Sequence, residues 1–146
     1  MAFKTAVTNG FVQQLIKLVQ AMEMSAGQFT LAMLVPSEWS DKWNLVVSAK
    51  WIDDDDLGPA IPAITSALLK HLSRVNAGKI ERVSPLSTKG SFVNDVVAET
   101  DVSPGTAYRV QSFSLNKRGI EEAILLVARK PHPSRSRQPQ AVRARG

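Results

Sequence analysis

Two apolar periods alternate along most of this chain, and their order restricts it to folds that lay helices on a sheet. From Thr8 the apolar residues Phe11, Leu15, Leu18 and Met22 recur at steps of four, three and four, and Val12, Ile16 and Val19 widen the stripe. That is the pattern of an amphipathic helix resting on a core. Thr8 or Asn9 can cap its start, and Ser25-Ala26-Gly27 can end it. The period then shortens. Gln28 to Val35 is nearly all apolar and stops at Pro36, as a buried strand does. Trp43 to Trp51 alternates, with Trp43, Leu45, Val47, Ala49 and Trp51 on one side and Asn44, Ser48 and Lys50 on the other. The two strands are expected to pair antiparallel across Pro36–Lys42.

A second helix is expected from about Pro59–Pro62 to Val75, striped by Ile61, Ile64, Leu68, Leu72 and Val75. Proline is tolerated only in a first turn, which places the start there and not at Asp53–Asp56. Asn76-Ala77-Gly78 ends it, and Lys79–Val83 forms a short strand closed by Pro85. Ser91 can cap a short helix carrying Phe92, Val93, Val96 and Val97. Ala107–Leu115 and Ile120–Ala128 read as a hairpin turning at Asn116-Lys117-Arg118-Gly119. The order α-β-β-α-β-α-β-β implies an α+β fold, with one mixed sheet of about five strands and helices packed on it. The long link through the second helix suits a parallel crossover.

Charge divides the chain differently. Residues 1–128 carry 12 Lys/Arg and all 13 Asp/Glu, so a single domain over 1–128 is nearly neutral. Residues 129–146 carry Arg129, Lys130, Arg135, Arg137, Arg143 and Arg145 and no acid. This tail has no apolar periodicity to offset its ordering entropy and is expected to be disordered. Its cations could meet nucleic-acid phosphates, with a salt slope near about −5 if all six engaged. It has no aromatic residue to stack on bases, and a solvated tail is the simpler expectation.

Chemistry is harder to find. The chain has no cysteine, which removes disulfides and thiolate metal sites, and nothing asks for an oxidising compartment. A cytoplasmic protein is expected. No apolar run approaches the roughly 20 residues of a membrane span, and the N-terminus lacks signal-peptide features. The Asp53–Asp56 run lacks the glycine and distal glutamate of a calcium loop, so no metal is expected there. Metal-dependent nucleases of the restriction-enzyme type place an acid two residues before a strand lysine, and Ser48-Ala49-Lys50 has serine at that position. His71 is the one histidine outside the tail, and no Gly-x-Ser-x-Gly, Gly-x-Gly-x-x-Gly or P-loop pattern occurs. No catalytic residue and no cofactor are assigned.

What remains is a set of surface candidates. Trp43 and Trp51 would lie roughly 26 Å apart at about 3.3 Å per residue, too far to share a small pocket. Each is expected to close one end of the core. Trp39 sits instead in the polar loop Ser37-Glu38-Trp39-Ser40-Asp41. It either folds back over the hairpin or offers a contact to a partner, with Glu38 and Asp41 beside it. The expected function is a non-enzymatic protein-binding or adaptor domain, using that loop or a sheet edge. The alternatives are a nucleic-acid-associated protein held by its tail and an enzyme without a recognisable motif. A homo-oligomer is compatible with either binding reading.

Overall fold

A computed structural model of the chain describes residues 3–7, 9–52, 55–115 and 118–129. The elements run β1 (Phe3–Val7), α1 (Gly10–Ser25), β2 (Phe29–Pro36), β3 (Trp43–Ala49), α2 (Ala60–His71), α3 (Arg74–Ala77), β4 (Ile80–Pro85), α4 (Ser91–Glu99), β5 (Ala107–Leu115) and β6 (Arg118–Ala128). One mixed sheet has the order β1-β5-β6-β2-β3-β4. The α+β class is as expected, and so is the order of the elements apart from two additions, β1 and α3. The sixth strand is β1, which pairs antiparallel with β5 from Phe3↔Gln111 to Val7↔Ala107.

The pairings follow the turn chemistry. β2–β3 and β5–β6 are antiparallel hairpins, and β3–β4 is parallel, as a crossover through α2 requires. The second hairpin is tighter than expected. Gly119 already pairs with Ser114 and Arg118 with Leu115, so only Asn116 and Lys117, outside the described residues, join the strands.

Both faces of the sheet are covered. On one, α1 and α2 bury Leu15, Leu18, Ile64 and Leu68 against Leu34, Leu45, Val47 and Leu126. On the other, Val93, Val96 and Val97 of α4 pack with Leu31, Met33, Val46 and Leu125. Three layers explain why β2 is apolar almost throughout and not alternating. Among the described residues, no helix is long and apolar enough to cross a membrane.

The Asn9 side chain accepts from the Val12 N–H at 2.9 Å and starts α1, one of the two expected caps. Local chemistry moves three other boundaries. Gly90, not Ser91, occupies the cap position of α4. The second helix stops at His71, because Ser73 caps a new turn by accepting from the Asn76 N–H. Gln14 of α1 holds that break, accepting from the Ser73 N–H and the Asn76 amide. Val75 therefore leaves the core and is 74% exposed. Strand β3 likewise ends at Ala49, and Trp51 lies in the following turn.

Candidate functional site

Strand β4 is an edge of the sheet, and the loop joining β2 to β3 stands beside its first residues. The loop folds on itself through serines. The Ser37 N–H donates to the Lys42 carbonyl at 2.9 Å. Ser37 Oγ accepts from the Trp39 N–H and Ser40 Oγ from the Lys42 N–H, both at 3.1 Å. Each hydroxyl also donates to Glu81 of β4, Ser37 to Oε2 at 2.8 Å and Ser40 to Oε1 at 2.6 Å. One carboxylate thus fastens the loop to the edge strand.

Trp39 rides on this fastened loop with 78% of its surface in water. It does not fold back on the hairpin. Glu38 and Asp41 are exposed on either side of it. These hydrogen bonds hold the loop without a partner, which lowers the entropy lost on binding. Of the other tryptophans, Trp43 lies on β3 as expected, whereas Trp51 lies in the turn after it and not on the strand. Trp43 and Trp51 are half-buried against the core beneath α1 and α2.

The hydrogen bonds from Ser40 and then Ser37 hold the Glu81 carboxyl below its ordinary range. A depressed folded-state value means the clasp contributes above the unfolded carboxyl's pKa and is lost as pH falls through the lower, folded one. On acidification, the Trp39 indole N–H resonance should therefore hold its shift through the ordinary carboxylate range and move only below it. Glu81→Ala should show the released position at neutral pH; an unchanged Trp39 resonance in that variant would refute the clasp.

Beside β4 lies a groove of about 220 Å³, lined by Leu68 and Leu69 of α2 and by Ile80, Val83 and the oppositely charged Glu81 and Arg82 of β4. Leu69 is 70% exposed. The backbone of β4 is open in part. Leu86 N–H donates to the Val47 carbonyl, and Val47 stands opposite Pro85. In a parallel ladder this turns Ser84 and Arg82 inward, and it leaves Val83 with its N–H and C=O on the free side.

A larger depression of about 630 Å³ lies at the start of α1, between Phe11, Trp43, Lys79 and Arg109. Arg109 pairs with Glu122 at 2.9 Å, and Lys79 lies 5.2 Å from the Phe11 ring centre. Among the described residues its lining has no carboxylate, imidazole or hydroxyl, so they assemble no acid–base pair there. Ser48 is fully buried and donates to the Leu86 carbonyl at 2.8 Å, a structural bond far from nuclease chemistry. His71 is half-buried at the end of α2. Asp53 and Asp54 lie outside the described residues, and no acid-rich or histidine-rich metal cluster forms among the described ones.

The cations assigned to the tail part company. Lys130, Arg135, Arg137, Arg143 and Arg145 lie outside the described residues. Arg129 belongs to the body. Its guanidinium donates to both oxygens of Glu23, at 2.6 and 2.9 Å, and to the Phe29 carbonyl at 2.7 Å. A guanidinium so engaged has little left for phosphate.

One charge feature escaped the whole-body sum. Between Leu57 and Asn94 there are five Lys/Arg and a single acid, Glu81. This stretch supplies α2, α3 and β4, so the edge of the sheet is cationic while the body as a whole is near neutral.

Fold and site together define an α+β domain with a partly open edge strand and a presented aromatic. No protein-family model, curated protein or solved structure matches the chain.

Proposed function

We propose that the chain is a non-enzymatic binding domain that holds a segment of another protein along β4, beside Trp39. The observation that carries this reading is the loop fastened by Glu81, which keeps a large aromatic ring in water next to an unpaired strand edge. Burying such a ring is costly to forgo, and tryptophan is enriched among residues that dominate binding energy. The free N–H and C=O of Val83 offer an added strand a backbone register.

The test is a photo-crosslinking residue at the exposed position 42 of the same loop, in the chain with Trp39 and in the chain with Trp39→Ala. Because Trp39 packs on little, Trp39→Ala should change stability by less than about 0.5 kcal/mol. It should weaken partner capture by about tenfold or more, as hot-spot truncation does. Equal capture by both chains would defeat the proposal.

A further inference from the structure

The groove beside β4 has an apolar floor and is bordered by elements on which cations outnumber acids. Leu68, Leu69, Ala77, Ile80 and Val83 supply the floor. Leu69 and Val75, 70% and 74% exposed, leave more aliphatic surface in water nearby. Four exposed cations stand on the bordering elements: Lys70 in the last turn of α2, Arg74 in α3, Lys79 just before β4, and Arg82 within it. The only acid in this stretch, Glu81, also lines the groove, accepts from Ser37 and Ser40, and forms an ion pair with Arg82 at 4.0 Å. Glu81 thus offsets Arg82, and Lys70, Arg74 and Lys79 leave the bordering elements net positive, with the acids Glu38 and Asp41 confined to the loop around Trp39.

We infer that the segment held along β4 is an acidic peptide bearing aliphatic side chains, an inference that rests on the binding-domain reading above. The aliphatic side chains fill the floor between α2 and β4. The carboxylates meet Lys70, Arg74 and Arg82. Val83 supplies the backbone pair that fixes the strand. Charge complementarity selects this occupant and rejects a basic segment, which would face like charges. The aliphatic floor also disfavours single-stranded nucleic acid, which binds through aromatic stacking platforms.

The experiment titrates the isotope-labelled full chain with two peptides of roughly ten residues, long enough to span β4. Both carry leucine at alternate positions; one has glutamate and the other lysine between them. The glutamate peptide should bind about tenfold tighter, lose affinity as salt rises, and shift the amides of Leu69, Ile80 and Val83. Arg74→Glu and Arg82→Glu, both at exposed positions, should reduce that affinity about tenfold while leaving the amide spectrum of the free chain native. Equal binding of the lysine peptide at the same amides would overturn the acidic preference and leave the binding-domain reading standing. Displacement of the glutamate peptide by a short RNA from those amides would overturn it in favour of nucleic acid. If neither peptide moves the groove amides while Trp39-dependent crosslinking persists, the groove assignment fails alone. Loss of the Trp39 dependence is a separate result and sinks only the broader reading.

Discussion

Gly27→Ala is expected to destabilise the domain by about 3 kcal/mol, from a left-handed backbone strain and a steric overlap acting together. Gly27 ends α1 with φ of 134°, where a side chain is disfavoured. A Cβ added there would meet Trp51 Cδ1 at 2.8 Å. The ring has no easy retreat. Its indole N–H donates to the Gly27 carbonyl at 3.0 Å, and its edge packs on Phe29 with centres 5.5 Å apart at 65°. The glycine is thus the floor on which Trp51 closes the core. Urea unfolding gives the measurement. Trp51→Ala should also cost about 3 kcal/mol, and the double variant less than the two summed, because removing the ring removes the overlap. A Gly27→Ala chain within about 1 kcal/mol of the parent would contradict this account of the corner.

The second large effect sits where the chain leaves the sheet. The Glu23 carboxylate accepts from the Phe29 N–H at 2.9 Å and from two nitrogens of Arg129. Its side chain is 13% exposed and that of Arg129 28%, so solvent screens the pair only in part. Glu23→Ala leaves a half-buried guanidinium and an N–H without their acceptor and should cost about 3 kcal/mol. Arg129→Ala should cost less, since Glu23 keeps its bond to Phe29. Comparing the midpoints of chemical unfolding for the two variants checks the order; a Glu23→Ala loss no larger than that of Arg129→Ala would reject it. A tail-free chain for binding studies should accordingly end after Arg129, because cutting at Ala128 removes this clasp along with the tail.

Much of the architecture could be read from the residues because local and tertiary preferences agree. The α1 stripe is the buried face of α1, and both hairpins turn where the turn residues sit. The failures have identifiable causes. Phe3–Val7 is short and interrupted by Lys4, and it becomes a strand only because the edge of β5 is there to pair with it. The stripe through Leu72 and Val75 masked the signal at Ser73, a good cap residue in the middle of a helical period. Trp39 could be singled out from its polar neighbours. The carboxylate that fastens its loop could not, since Glu81 is 44 and 41 residues from its two serines. The cationic edge was hidden by arithmetic: Asp and Glu elsewhere in the body cancel it in the total, though a window over residues 57–94 exposes it.

Pro85 has a further effect at the rim of the sheet. It faces outward like Val83 but has no N–H to give, so any foreign strand loses its ladder one step past Val83. Along this edge, copies of the domain consequently lack the long continuous template needed to stack sheet upon sheet into fibres. Strand β4 can thus be left uncovered at high concentration without seeding a polymer.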